Sequence, residues 1–311
     1  QERIEALKRE ETEGLRKFYT EIATPEVLKE NFMRWQTHIA DCLATKYPNK
    51  AALQEAIEKA TRYADQLPIR HGSSYKNLRT SGHPHLASDF MVRGLDHYQD
   101  GVGNTASSDR QYELDHFVYG ALGVLGKECT WRKGWDTQVY IKNDVLREKG
   151  TLVALEDLAD TIPRLIPQAY KGNSTWAGPD EAFEVHLQQL WSGGDFAVLL
   201  PMMLAYAYDT PEDFDNQKPW PLDLVPDGLP RLKRSNRERY WQQEPDFPEF
   251  EIRIPQSVIP NDVIAYFVDE SAIKTEPSER RVVVIPKNLT PEDRQRYVKE
   301  KLADLQERDG A

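Results

Sequence analysis

Histidines and carboxylates concentrate in one segment of the chain, between residues 71 and 116, which holds five of the seven histidines. Neutral imidazole and carboxylate are common ligands of zinc, iron and manganese. His85 and Asp89 are four residues apart, so they would share one face of a helix. The segment is therefore a candidate metal site, with the potential ligands His83, His85, Asp89, His97 and His116.

The spacing of these residues matches none of the common metal-enzyme motifs. The alternative is that they are loop histidines and surface pairs on helices. A metal-dependent hydrolase that uses residues 83–116 with a divalent transition metal is thus an alternative hypothesis of function.

Arg110 and His116 are separated by five residues, a spacing that resembles that of some all-helical ribonucleases. Such a pair would position phosphate and assist proton transfer. An arginine at this distance from a histidine is expected about once by chance in a chain of this composition. The net charge of -11 also disfavours an RNA substrate, so a helical ribonuclease is a further alternative.

Arg70-His71-Gly72, followed by Asn77, superficially resembles the phosphate-binding loop of histidine phosphatases. In that family the loop follows a buried strand of an α/β sheet. Here a charged helical segment and Leu67-Pro68 come before it. Because the required context is missing, we predict a turn.

A basic run lies in the C-terminal third of the chain and is flanked by aromatic side chains. Its residues are Arg231, Lys233, Arg234, Arg237 and Arg239, with Trp220, Tyr240 and Trp241 beside them. An acidic stretch over 244–251 follows, and local charge compensation is the simplest interpretation. The functional interpretation is a docking surface for another protein, because Trp, Tyr and Arg are frequent interface anchors.

The composition narrows the classes of partner. A net charge of -11 disfavours nonspecific binding to nucleic acid or to an anionic membrane. The longest near-apolar run, residues 196–208, is shorter than the roughly 20 residues that span a bilayer. The two cysteines, Cys42 and Cys129, are too few for a disulfide framework. We predict buried thiols and a cytoplasmic location.

Helices dominate the elements that would position these residues. Three helices are predicted over 1–66, the second beginning at Thr24-Pro25-Glu26 with a threonine cap and a proline in the first turn. A further helix is predicted from Ser108 to about Glu128, and helices again over 151–208, with 196–208 buried.

The composition changes after residue 210, where twelve of the twenty prolines lie. Phe250 to Ile254 alternates as an edge-like strand, and Val282 to Ile285 is predicted to be a short buried strand. Residues 139–141 and 263–268 fit a strand or a helix. Thr290-Pro291 begins a C-terminal helix.

The predicted fold is therefore α+β and predominantly α. It consists of a multi-helix body over 1–208 and a loop-rich region over 209–311 with a few short strands and a terminal helix. Because no catalytic motif is recognisable, the first hypothesis is a non-enzymatic protein–protein interaction or regulatory protein of the adaptor, immunity or effector-binding type. No cofactor is predicted apart from the metal considered above.

Overall fold

A mixed sheet of eight strands runs through the computed structural model of the chain. The structure describes residues 2–73, 88, 90–91, 114–122, 136–148, 150–155, 180–214, 218, 220–227, 229, 250–255, 260–273 and 281–309. The strands are β1 (Ile69–Ser73), β2 (Val118–Leu122), β3 (Thr137–Ile141), β4 (Leu152–Leu155), β5 (Leu190–Ser192), β6 (Phe250–Ile254), β7 (Val263–Asp269) and β8 (Val282–Ile285).

The strand order in the sheet is β5-β4-β6-β2-β1-β3-β7-β8. All neighbouring strands are antiparallel except β7 and β8, which are parallel. Strand β6 therefore lies between two strands that precede residue 156, β4 and β2, and β7 joins the early strand β3 to the late strand β8.

The predicted fold class, predominantly α with a few short C-terminal strands, is wrong, because the sheet is large and five of its strands precede residue 208. The predicted helix through residue 128 contains β2, and the predicted helical stretch after 151 contains β4. Every residue of β4 is buried, so it shows no apolar-polar alternation. A short apolar run of this kind fits a buried helix equally well from sequence.

The α-helices within the described ranges are α1 (Glu2–Lys17), α2 (Pro25–Lys46), α3 (Lys50–Ala64), α4 (Asp180–Leu187), α5 (Gly193–Ala207) and α6 (Pro291–Asp309). The three helices predicted over 1–66 are confirmed. Thr24 caps α2 as predicted, since its hydroxyl accepts a hydrogen bond from the Val27 amide at 3.4 Å. A single π-helical turn, Phe18–Ile22, continues α1 towards the sheet.

The buried apolar helix predicted over 196–208 is confirmed as α5. It packs with α2 and α3 on one face of the sheet, called here the first face. This face carries the largest apolar core, to which Ile69, Leu122, Val139, Val153 and Phe250 contribute.

The opposite or second face carries two smaller cores. At one end, Leu152 and Ala154 pack with Phe18 of the π-helical turn. At the other end, Tyr140 and Phe267 pack with side chains of α6. The strip of sheet between these two cores is polar, and the candidate site lies there.

None of the helices within the described residues is long and apolar enough to cross a membrane.

Candidate functional site

A polar strip crosses the middle of the second face. Its members come from four adjacent strands: Arg70 of β1, Tyr119 of β2, Gln138 of β3, and Glu251 and Arg253 of β6. Side chains alternate between the two faces of a strand. Because Ile69, Phe250 and Ile252 lie in the core of the first face, the side chains between and beside them point to the second face.

The register of the sheet places Arg70 and Glu251 in one row. Arg70 is opposite Ala121, and Ala121 is opposite Glu251. Two strand spacings separate the Cα atoms of Arg70 and Glu251 by about 10 Å.

Arg253 organises one half of the polar strip. The Arg253 Nε donates a hydrogen bond to Glu251 Oε1 at 2.7 Å, and the Arg253 Nη2 donates one to His186 Nε2 at 2.6 Å. The guanidinium carbon lies 5.9 Å from the centre of the Tyr119 ring. Arg253 is 1% exposed, so these partners replace the water that a guanidinium would otherwise bind.

His186 reaches Arg253 from α4 and is itself fully buried. Since an arginine only donates hydrogen bonds, His186 Nε2 must be the acceptor. The imidazole is therefore neutral and carries its proton on Nδ1. Gln189, which comes shortly after His186 in the sequence, follows α4 and is also fully buried.

The Tyr19 side chain lies near Arg253 from the π-helical turn. Its hydroxyl donates to the Gly150 carbonyl oxygen. Burial raises the pKa of Tyr19, and the positive charge of Arg253 only partly opposes this effect. Tyr19 is thus a neutral side chain that helps to enclose the arginine.

The polar strip is partly open to solvent. Strand β2 is interior to the sheet, yet Tyr119 and Ala121, which point to the second face, are only half-buried. The Glu251 side chain is 16% exposed, whereas that of Arg253 is 1% exposed. The Glu251 carboxylate is therefore the more exposed of the two charged groups, and the Arg253 side chain that orients it is buried.

Of the five metal ligands predicted from sequence, only His116 lies among the described residues; His83, His85, Asp89 and His97 lie outside them. His116 is buried, with its Nε2 3.8 Å from Asp115 Oδ1 and its ring 4.6 Å from that of Phe90. Within the described ranges, no three His, Cys, Asp or Glu side chains are grouped to hold a metal ion. The site predicted over 83–116 stays a prediction.

The other predicted site residues are mostly outside the described part of the chain. These are Arg110 of the ribonuclease hypothesis and, from the docking surface, Arg231, Lys233, Arg234, Arg237, Arg239, Tyr240 and Trp241. Trp220 is described, and it is 6% exposed. Its ring lies 5.6 Å from that of Phe250, within the core of the first face.

The turn predicted for Arg70-His71-Gly72 is wrong, because these residues form the middle of β1 and pair with Tyr140, Val139 and Gln138 of β3. His71 Nδ1 contacts the Tyr119 carbonyl oxygen at 2.5 Å. The turn was predicted because a charged helical segment and Leu67-Pro68 come before these residues, but the proline precedes the strand, where no ladder hydrogen bond needs its amide.

Apart from Arg70, which was considered within a phosphate-binding loop and then predicted to lie in a turn, the residues of the polar strip were not recognised from sequence as a site. One signal was present: the alternation over 250–254 places Glu251 and Arg253 on the same side of a strand, opposite three apolar side chains. That strand was expected at an edge, which is wrong, because β6 lies between β4 and β2. No local signal indicated His186 or Gln138.

The sequence matches no protein-family model, and no curated protein shows significant similarity to it.

Proposed function

We propose that the chain binds a small polar molecule with an anionic group, and that this molecule binds at the polar strip. The observation that carries the proposal is the partly exposed Glu251 carboxylate, which the buried Arg253 holds in place above the half-buried middle of β2.

Two groups of opposite charge would recognise such a molecule. The planar Arg70 guanidinium suits a carboxylate or a phosphate, which it can bind through two parallel hydrogen bonds. Glu251 accepts hydrogen bonds and suits a hydroxyl or an amino group. Their Cα atoms are about 10 Å apart, a separation that a molecule of the size of a sugar phosphate can bridge.

A purely structural role for the ion pair is the main competing explanation. A buried ion pair is seldom more stabilising than apolar side chains of the same volume, because both charges lose their hydration. The sheet has apolar cores on both sides of the polar strip. The polar strip interrupts this apolar face and is partly exposed. Ligand binding therefore explains its polar residues better than a contribution to the free energy of unfolding does.

Matched pairs of small molecules test this proposal. The pairs are glucose 6-phosphate with glucose, AMP with adenosine, and phosphoserine with serine. We expect at least one phosphorylated compound to raise the Tm of the parent chain as its concentration increases. The same compound should raise the Tm of Arg70→Gln by less.

The control variant is Arg147→Gln, which removes a guanidinium from an exposed ion pair with Asp65. It should respond to each compound as the parent does. The proposal fails if the parent and Arg70→Gln respond alike to every pair, as measured by thermal unfolding and titration calorimetry.

The interaction function predicted from sequence stays a prediction, as do its protein partner and a cytoplasmic location. It rests on residues 216–247, most of which lie outside the described residues. Replacement of Arg231, Lys233, Arg234, Arg237 and Arg239 by glutamine should abolish capture of a partner if that prediction is right, and unchanged capture would contradict it. Deletion of the whole segment would not serve, because Trp220 and Leu224 belong to the core of the first face.

A further inference from the structure

A second cluster of chemically active side chains lies on the other side of the sheet, between α2, α5 and residues 222–224. His38 and Cys42 are one helical turn apart on α2, and both are half-buried. Tyr206 of α5 and Asp223 face them. None of these residues belongs to the polar strip.

The donor atoms of this cluster are close together. Cys42 Sγ is 3.7 Å from His38 Nε2 and 3.8 Å from the Asp223 carbonyl oxygen. His38 Nε2 lies 2.7 Å from the same carbonyl oxygen. The Tyr206 hydroxyl donates to Asp223 Oδ2 at 2.7 Å.

The cluster is poorly suited to nucleophilic catalysis. Burial raises the pKa of Cys42, with the Asp223 charge adding to the effect, so the thiol is not activated as a thiolate. His38 Nε2 must also donate its proton to the Asp223 carbonyl oxygen and so cannot at the same time accept the thiol proton.

We propose that His38 and Cys42 form a binding site for a soft divalent metal ion such as zinc or cadmium. A sulfur and a nitrogen bound to one tetrahedral zinc are about 3.6 Å apart, given the usual Zn–S and Zn–N lengths. The observed separation of 3.7 Å matches this value, so the helix need not move. The Asp223 carbonyl oxygen, which lies 2.7 Å from Nε2, must move aside to admit the metal ion.

Metal binding requires that one proton leave the Cys42 thiol and that one proton move within the His38 imidazole. The thiol releases its proton to solvent when the sulfur binds the metal. The imidazole proton moves from Nε2 to Nδ1 by exchange with water, and Nε2 exchanges its bond to the Asp223 carbonyl for one to the metal. With only two protein side chains bound, the remaining positions are left to water, so the expected affinity is modest.

Cobalt(II) is the probe, because its bond to a thiolate gives a charge-transfer absorption band. The full chain should develop the band with one equivalent of cobalt, also in a Cys129→Ser background, and zinc should remove it. Cys42→Ser should abolish the band, and His38→Gln should weaken cobalt binding by about tenfold or more. Thr37→Ala, at an exposed neighbouring position on the same helix, is the matched control and should bind as the parent does.

Two results would overturn the proposal: no band at saturating cobalt in the folded parent, or a band that persists in Cys42→Ser. If Cys42→Ser does not fold, the Cys129→Ser chain decides the question through thiol labelling. Zinc should then slow the labelling of Cys42, and an unchanged rate would contradict the site.

Discussion

Arg253 is the residue on which the polar strip depends, because its guanidinium holds an acid through Nε and an imidazole through Nη2. A salt bridge with both partners present contributes little net stability when buried. Removal of one partner, however, leaves the other without compensation. The arginine is therefore better described as a positioning residue for Glu251 and His186 than as a source of stability.

We expect Arg253→Met to destabilise the fold by about 3 kcal/mol, because the half-buried Glu251 carboxylate then loses the ion pair with Arg253. Urea denaturation of the variant and the parent measures the difference. The double variant Arg253→Met/Glu251→Gln should recover part of the loss, since no charge then remains uncompensated. If the two substitutions are simply additive, the ion pair does not couple these residues.

A second prediction concerns Glu11 of α1, which accepts a hydrogen bond from the buried Ser88 hydroxyl. Burial raises the pKa of Glu11 above its ordinary value of 4.5, although Ser88 and the nearby His116 favour the charged form. A raised pKa means that the protonated acid fits the folded state better. The stability that this provides is complete below pH 4.5 and is lost as the pH rises through the folded-state pKa.

Glu11→Gln removes this penalty and keeps an oxygen that can accept from Ser88. It should stabilise the chain at neutral pH by less than about 1 kcal/mol, because the side chain is half-buried and solvent screens it. The gain should vanish towards pH 4, as measured by chemical denaturation across a pH series. A gain that is the same at every pH would show that the Glu11 charge is not its origin.

At the scale of elements, the start of α5 depends on the close approach of one glycine. A Cβ atom at Gly193 would lie 1.8 Å from the Leu146 carbonyl oxygen, whereas one at Gly194 would meet nothing within 4 Å. Ser192 caps this helix through a hydrogen bond from the Asp195 amide at 3.1 Å. The chain can therefore begin the helix against the sheet only with glycine at position 193.

Gly193→Ala should destabilise the fold by about 2 kcal/mol or more, because the Leu146 backbone must move to admit the methyl group. Gly194→Ala is the matched control and should be neutral or stabilising by up to about 1 kcal/mol, because alanine reduces the freedom of the unfolded chain. Thermal unfolding of both variants is the measurement. Equal effects at the two positions would contradict the packing seen here.

Helix boundaries were predictable where a local chemical signal exists. Thr24-Pro25-Glu26 caps and begins α2, and Thr290 caps α6 in the same way, with its hydroxyl 3.1 Å from the Asp293 amide. Strands such as Leu152–Leu155 gave no comparable signal, because both faces are buried and the apolar run has no period. Their identity is set by pairing with distant strands, which a local pattern does not contain.

The candidate site was less predictable than the fold for the same reason. Glu251 and Arg253 could be placed on one side of a strand from their alternation alone. Arg70 joins them only because β1 and β6 both pair with β2. His186 joins them only because α4 packs against β4, next to β6. A site assembled across a sheet is specified by register, and register is fixed by the whole chain.

At the scale of the whole molecule, the sheet interleaves early and late parts of the sequence. Strand β6 lies between β4 and β2, and β7 pairs with β3. At the far edge, an element close in sequence covers β8: the Tyr297 hydroxyl of α6 donates to the Val284 carbonyl oxygen at 3.1 Å, which blocks part of the edge of β8.

This arrangement leads to a prediction about the fragment 1–208, the helical body expected from sequence. Without residues 209–311, strands β4, β2 and β3 lose a hydrogen-bonded neighbour, and neither Phe250 nor Trp220 fills the core beside Phe196. We expect the fragment to lack a cooperative unfolding transition in calorimetry, although α2 and α3 retain helical circular dichroism.

Addition of fragment 209–311 should restore the transition, because the missing strands can pair from a separate chain. A fragment 1–208 that unfolds cooperatively on its own would show that the helices and five strands form an independent unit, to which the later strands merely add.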